Sequence, residues 1–129
     1  MNVVDSSAWL EFFADGPNAD AFAPPILDTD RLLVPSIVLF EVFKRVRLQR
    51  DADSALRAVA QMRRGTVVPL DADLAVAAAE LSAERALPLA DGVILATARA
   101  AAATLWTQDG DFEGMEGVEY REHREHRGG

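Results

Sequence analysis

Short apolar, β-branched runs alternate with longer stretches of helical periodicity along the chain. The runs predict strands at residues 2–5, 31–34, 66–70 and 104–107, with a weaker one at 118–120. Apolar positions three and four residues apart predict helices at residues 8–14, 37–49, 51–64, 72–85 and 89–103. Ser6 or Ser7 is expected to cap the first helix. A further short helix is expected after Asn18, ending where Pro24 and Pro25 interrupt it.

The order of these elements indicates the fold class. Strands that are separated by helices pair in parallel through right-handed crossovers, so we expect a three-layer α/β/α sandwich with a mainly parallel central sheet. A chain of 129 residues has room for one such domain, which we place at residues 1–121. Residues 122–129 are polar and carry no apolar anchor, so this tail is expected to be poorly ordered.

Composition excludes several kinds of site. Half of the residues are hydrophobic and 26% are charged, which is the balance of a globular protein with a core. The chain has no cysteine, which excludes a disulfide framework, a thiolate nucleophile and Cys-ligated metal centres. The first residues lack the basic character of a signal peptide, and no apolar run approaches the ~20 residues of a membrane span. We therefore expect a cytoplasmic protein without membrane contact.

The charge balance limits how the chain could contact nucleic acid. The sequence has 13 Lys and Arg against 21 Asp and Glu, a net charge of −8, which argues against binding through bulk positive charge. A nucleic-acid role would need local basic patches or metal ions. Basic side chains concentrate on the helix that holds Lys44, Arg45 and Arg47 and on the next one. This stretch is either a solvated helix face or a track for an RNA backbone.

Four acidic side chains stand where a charge is costly. Asp5 ends the first predicted strand and Asp109 follows the last buried one, and open α/β sheets form their sites at the carboxyl ends of strands. Glu41 and Asp91 lie in the apolar segments PSIVLFEVF and PLADGVILATA, which offer no polar face for them. Each acid has an ordinary alternative: a helix cap for Asp5 or Asp91, an ion pair for Glu41 and a turn for Asp109.

Together, the four acids predict a metal site. Carboxylates ~4–5 Å apart repel by about 3–4 kcal/mol at an effective dielectric of ~20, so a cluster of them needs a positive counter-charge. The chain has one lysine, Lys44, and its arginines are expected mostly on solvent-facing helix positions. A bound divalent cation is therefore the simpler counter-charge. Ligands that are all oxygen favour Mg²⁺ or Mn²⁺ over zinc.

Four segments of the chain, taken in order, resemble a known family. MNVVDSSAWLE, PSIVLFEVF, LPLADGVILATA and LWTQDGDF are similar to the four motif blocks of PIN-domain nucleases, at the spacing of VapC-type toxins from bacterial toxin–antitoxin pairs. The match covers nearly the whole chain. The resemblance implies that the four acids are a catalytic quartet, Asp5, Glu41, Asp91 and Asp109. It also implies metal binding by Asp5, Asp91 and Asp109.

The resemblance further implies supporting residues and an activity. Ser6 and Thr107 would supply hydroxyls, and Asp111 competes with Asp109 for the fourth acidic position. Gln108 stands where family members often have a basic residue. The implied reaction is metal-dependent hydrolysis of RNA phosphodiester bonds with Mg²⁺ or Mn²⁺, which leaves a 5′-phosphate and a 3′-hydroxyl. The alternative is a PIN-like protein that binds a metal or a partner without cleaving RNA.

Four aromatic side chains crowd the first two predicted helices. Trp9, Phe12, Phe13 and Phe22 either pack in the core or leave an apolar groove for a partner helix. The resemblance implies a cognate antitoxin as that partner, and it also implies a homodimer. The tail residues His123 and His126 have the spacing of helical metal ligands, but a solvated charged tail is the simpler interpretation.

Overall fold

The computed structural model describes residues 1–125. The strands are β1 (Asn2–Val4), β2 (Leu32–Pro35), β3 (Thr66–Val68), β4 (Thr104–Thr107) and β5 (Val118–Tyr120). The helices are α1 (Ser6–Phe13), α2 (Ala19–Leu27), α3 (Ser36–Gln49), α4 (Ala52–Met62), α5 (Ala72–Arg85) and α6 (Leu89–Ala100). Within this range, no helix is long and apolar enough to cross a bilayer. The last part of the predicted tail, residues 126–129 with His126, lies outside the described residues.

The five strands form one sheet in the order β3-β2-β1-β4-β5, and all of their pairings are parallel. Helices flank this sheet, which confirms the predicted α/β fold class. The central strand β1 pairs with β4 in a register that sets Val4 against Trp106. Asp5 and the segment after Thr107 therefore leave the sheet at the same edge, where the carboxyl ends of the strands meet.

The first helix is capped by an acid rather than by a serine. Asp5 is the N-cap of α1, and its carboxylate accepts a hydrogen bond from the Ser7 backbone N–H at 3.3 Å. The predicted serine cap is wrong because Ser6 and Ser7 are already inside the helix. Their hydroxyls donate to the Asp5 carboxylate instead, at 3.1 and 3.0 Å.

Helix α2 continues through the two prolines that were expected to end it. Pro24 and Pro25 lie inside the helix, although a proline in a helix interior costs about 3 kcal/mol because it lacks the backbone N–H and crowds the preceding turn. On the same helix Phe22 and Ile26 are buried. Burying side chains of this size stabilises the fold by about 1.5–3 kcal/mol each, which offsets much of the proline cost.

Helix α5 packs closely along one side only. Its buried residue is Ala78, whereas Val76 is 67% exposed. The close contact is with α6 at Gly92, where an added Cβ would lie 2.9 Å from the Ala78 carbonyl oxygen. The Ala-rich sequence of α5 lets it approach α6 at this point. The remaining surface of α5 is largely exposed.

Candidate active site

Asp5 lies at the carboxyl end of the central strand and is almost completely buried, with 2% of its surface exposed. In addition to the two serine hydroxyls and the Ser7 N–H, it accepts a hydrogen bond from the Thr107 hydroxyl. Burial raises the pKa of Asp5, while these donors act in the opposite direction because they favour the carboxylate. Asp5 therefore holds the end of β1, the start of α1 and the end of β4 together.

Thr107 connects Asp5 to the next acid along the chain. Its buried hydroxyl donates to Asp5 and accepts a hydrogen bond from the Asp109 backbone N–H at 2.9 Å. The Asp109 carboxylate in turn accepts from the Asp111 backbone N–H at 2.9 Å and begins a 3₁₀ turn over Gly110–Phe112. The two acids after β4 are thus fixed by backbone and hydroxyl contacts at the edge of the sheet.

Asp91, Asp109 and Asp111 form a compact group of carboxylates. One oxygen from each lies within 4.8 Å of the other two. Asp91 is buried in the first turn of α6, whereas Asp109 is half-buried and Asp111 is exposed. The pKa of Asp91 rises to about 8 through burial, the negative charge of Asp109 and a hydrogen bond with Asp111 that only the protonated form makes. Both candidates for the fourth acid therefore face Asp91.

Glu41 approaches the same edge from α3. Burial raises its pKa, and the negative charges of Asp5 and Asp109 add to the increase, against an opposing contribution from the Ser6 hydroxyl. Its Oε1 atom is buried and has no hydrogen-bond partner within the described part of the chain. Such an orphaned acceptor is a position for a cation or an ordered water.

The acidic cluster consists of five residues, Asp5, Glu41, Asp91, Asp109 and Asp111. In residues 1–125, none of the five forms an ion pair with a basic side chain. The cluster offers oxygen ligands only, which suits a hard divalent cation. The uncompensated charge, the orphaned Glu41 oxygen and the close carboxylate group together fit a divalent metal site.

A cleft of about 690 Å³ opens beside the acidic cluster. Its lining includes Ser7 and Asp109 together with three arginines that belong to α3, α4 and the junction between them, Arg45, Arg50 and Arg57. A phosphate backbone in this cleft would meet both the arginines and the edge of the cluster.

The basic residues that were expected to contact RNA divide between two surfaces. Arg45 lines the cleft, whereas Lys44 and Arg47 line a separate apolar surface beside Phe40. The Lys44 ammonium lies 5.9 Å from the centre of the Phe40 ring. Lys44 and Arg47 are three residues apart and share a helix face that Arg45 does not share. This placement corrects the expectation that all three residues form one track.

The aromatic residues that were expected to meet a partner also divide. Trp9 and Phe22 are fully buried, so the core alternative is correct for both and the expectation of a partner contact is wrong. Phe12 and Phe13 are half-buried and pack against Trp9, with ring centroids 6.5 and 5.6 Å from it. Phe13 also lines the cleft.

Sequence reasoning missed a chain of hydrogen bonds at the cleft. The Asn18 Nδ2 atom donates to Gln108 Oε1 at 3.1 Å and to the Glu122 carbonyl oxygen at 2.8 Å. The Gln108 Nε2 atom lies 3.0 Å from the Nδ1 atom of His123. These residues are far apart in sequence and none stands in an unusual local pattern, so no sequence signal could have joined them.

A buried acid on α1 was also missed, although a signal for it existed. Glu11 is 7% exposed, and its carboxylate accepts a hydrogen bond from the Asn18 backbone N–H at 2.9 Å. It stands among apolar residues in AWLEFF, the same kind of surrounding that singled out Glu41. Glu11 fixes the turn between α1 and α2 and so supports the position of Asn18.

The comparison with protein families identifies this arrangement. Residues 3–118 match the model of the PIN domain. The chain belongs to the PIN domain family. A search of curated proteins gives no significant match.

Solved structures share the fold of this PIN domain along nearly the whole chain. A toxin–antitoxin complex from Klebsiella pneumoniae matches with a TM-score of 0.78 at 22% identity, over 92% of this chain and 96% of that one. The Mycobacterium tuberculosis VapC20, described as a sarcin-ricin loop cleaving toxin, has a TM-score of 0.73 at 22% identity, over 87% and 92%. DNA-bound VapBC from Salmonella typhimurium has a TM-score of 0.71 at 19% identity, over 93% and 96%. At these identities the likeness establishes the fold alone.

Proposed function

We propose that this PIN domain is a metal-dependent ribonuclease toxin that hydrolyses RNA phosphodiester bonds and is neutralised by a cognate antitoxin. The observation that carries the nuclease activity is the group formed by Asp91, Asp109 and Asp111, whose oxygens lie within 4.8 Å of one another. An arginine-lined cleft begins at Asp109. Membership of the PIN family supports this reaction class, and similarity to chains from toxin–antitoxin complexes supports the role as a toxin.

The acidic cluster supplies the metal ligands. Asp91, Asp109 and Asp111 would be the primary ligands of a bound cation because they present close oxygens to one another. Asp5 already accepts four hydrogen bonds, which fill the lone-pair positions of a carboxylate, so it would have to release one of these donors to join a cation. When bound, Mg²⁺ or Mn²⁺ provides positive charge at the phosphodiester and lowers the pKa of a coordinated water.

Glu41 acts on the attacking water. Its Oε1 atom is buried, lacks a protein donor and lies in the acidic cluster, so it accepts a hydrogen bond from a water that enters the site. Burial and the neighbouring acids raise the pKa of Glu41, which makes the carboxylate a better proton acceptor than a solvated one. Glu41 therefore orients the water and takes its proton.

The arginines of the cleft bind the RNA backbone. Arg45, Arg50 and Arg57 offer guanidinium groups, which match the geometry of phosphate oxygens. Their charge attracts a polyanion to a site whose acids would otherwise repel it. The antitoxin, in turn, would contact the half-buried Phe12 and Phe13, and we keep the homodimer as a further part of the proposal.

Cleavage of a labelled single-stranded RNA by the purified chain tests the activity. We expect cleavage with millimolar Mg²⁺ or Mn²⁺ and none with EDTA. Asp91→Asn should abolish cleavage and leave the fold intact, whereas Asp73→Asn, a change at an exposed acid of α5, should leave cleavage unchanged. Cleavage retained by Asp91→Asn, or equal loss in both variants, would overturn the assigned site. Growth arrest on expression, relieved by the protein encoded beside it, tests the role as a toxin.

A further inference from the structure

His123 stands at the cleft, although its sequence context is a charged tail. Its Nδ1 atom lies 3.0 Å from Gln108 Nε2, and both residues line the same cleft as Asp109 and Arg45. Gln108 also precedes Asp109 directly, and its backbone N–H donates to the Ser7 hydroxyl at 3.3 Å. The imidazole ring is therefore attached to a segment whose position is fixed by the acidic cluster itself.

The hydrogen-bond chain decides which ring nitrogen carries the proton. The Glu122 carbonyl oxygen can only accept, so the Asn18 atom that contacts it is the amide nitrogen, and that nitrogen donates to Gln108 Oε1. The opposite end of the Gln108 amide is then an N–H donor, and it faces His123 Nδ1. Nδ1 accepts this hydrogen bond, so the neutral imidazole carries its proton on Nε2.

We propose that His123 is a substrate-binding residue of this PIN domain, whose Nε2–H donates a hydrogen bond to a phosphate oxygen of RNA in the cleft. In this proposal Gln108 and Asn18 are positioning residues that fix the ring and its tautomer. The inference rests on the proposed function, because RNA is the ligand that it assigns to the cleft.

The surrounding charges favour RNA phosphate as the ligand. Arg45, Arg50 and Arg57 line the same cleft and attract a polyanion. Next to Asp109, however, a charged Lys or Arg would pair with the carboxylates of the cluster. A neutral N–H donor does not form such an ion pair, so it remains available to a phosphate that lies beside the acids. His123 thus adds a hydrogen-bond donor to the cleft, beside the segment that carries Asp109.

Two amide substitutions separate ligand binding from tail attachment. In His123→Gln the side-chain nitrogen can take the place of Nε2 and donate to the phosphate. In His123→Asn the shorter amide can take the place of Nδ1 and keep the contact with Gln108, but the donor at the Nε2 position is lost. The binding assay measures fluorescence anisotropy of a short labelled single-stranded RNA with Mg²⁺, on full chains that also carry Asp91→Asn to prevent cleavage. Steady-state cleavage by chains with Asp91 intact supplies KM and kcat.

We expect His123→Ala and His123→Asn to weaken RNA binding by about tenfold, the usual effect of losing a hydrogen bond to a charged group. KM should rise by a similar factor with little change in kcat. His123→Gln should stay close to the parent chain. If the residue only anchors the tail, the order reverses, because Asn preserves the contact with Gln108 and Gln does not.

The outcomes distinguish this inference from the proposed function. If His123→Gln binds RNA like the parent chain, His123→Asn and His123→Ala bind it more weakly, and the unmodified chain cleaves RNA, the result supports both the inference and the proposed function. The same order without any cleavage supports the role of His123 and rejects the nuclease activity. Unchanged RNA binding in His123→Ala, or loss in His123→Gln with retention in His123→Asn, overturns the inference. An effect on binding of a protein partner without an effect on RNA binding also overturns it.

Discussion

Replacing Asp91 with Asn removes the charge that the acidic cluster tolerates least. Asp91 is buried, and its pKa is about 8 against an ordinary value of 3.8. Between these two values the folded protein holds a proton that the unfolded chain has released, so the free energy of unfolding falls as the pH rises. One such proton changes this free energy by at most about 1.4 kcal/mol for each pH unit.

The size of the effect follows from the surroundings of Asp91. From pH 5 to pH 8 the upper limit is about 4 kcal/mol. Asp109 is half-buried and Asp111 is exposed, so solvent screens the charges that contribute to the raised pKa, and we expect about half of this limit, roughly 2 kcal/mol. The pKa values of Asp5 and Glu41 are also raised. The free energy of unfolding should therefore still fall with rising pH in Asp91→Asn, as it does in the unmodified chain. Asp91→Asn should therefore lose about 2 kcal/mol less than the unmodified chain over this range.

Urea unfolding in EDTA at pH 5 and pH 8 measures this difference, with the fluorescence of the two tryptophans, the buried Trp9 and the half-buried Trp106, as the signal. Asp73→Asn is the matched control, because that acid is exposed and its loss should leave the pH dependence unchanged. Millimolar Mg²⁺ at pH 8 should stabilise the unmodified chain more than Asp91→Asn, since it binds the deprotonated cluster of the folded state. An identical pH dependence in the unmodified chain and Asp91→Asn would refute the electrostatic account of the site.

Three further substitutions test separate parts of the molecule. Gly92→Ala should destabilise the fold by about 1–3 kcal/mol in urea unfolding, because its Cβ would crowd the Ala78 carbonyl; unchanged stability would contradict the close α5–α6 packing. Thr107→Val should lower the free energy of unfolding by about 1–3 kcal/mol and reduce RNA cleavage, because it leaves the Asp109 N–H unpaired. Full cleavage activity in this variant would contradict a positioning role for Thr107. Arg57→Gln should weaken RNA binding and reduce the slope of the log binding constant against log salt concentration by about 0.7, because Arg57 lines the cleft. Arg47→Gln should change neither quantity, because Arg47 lines the other surface. Equal effects of the two substitutions would exclude the cleft as the RNA path.

Parallel pairing made part of the candidate site predictable. Asp5 and Asp109 follow neighbouring strands of one parallel sheet, so their approach follows from topology without any side-chain detail. The choice between Asp109 and Asp111 did not follow from topology. It depends on a 3₁₀ turn in which the Asp109 carboxylate binds the Asp111 N–H, and this turn brings both side chains to Asp91.

Side-chain direction was the main quantity that the sequence did not determine. Lys44, Arg45 and Arg47 are neighbours in the chain, but a helix rotates successive side chains by about 100°, so they divide between two surfaces. The failure at Pro24 had a different cause. A local rule for proline predicted the end of a helix, whereas the helix continues and the burial of Phe22 and Ile26 offsets much of the cost of its two prolines.

The acidic net charge and an RNA substrate are compatible because the charge is concentrated at one place. The acidic cluster contributes five negative charges when fully ionised, against a net charge of −8 for the whole chain. These charges are adjacent to the cleft, so in metal-free protein they oppose the attraction that the arginines exert on a phosphate backbone. A divalent cation at the cluster removes this opposition at the position where the reacting phosphate would lie. Metal binding and RNA binding should therefore be mutually reinforcing, and the burial that raises the pKa of Asp91 is the same property that makes the site depend on a cation.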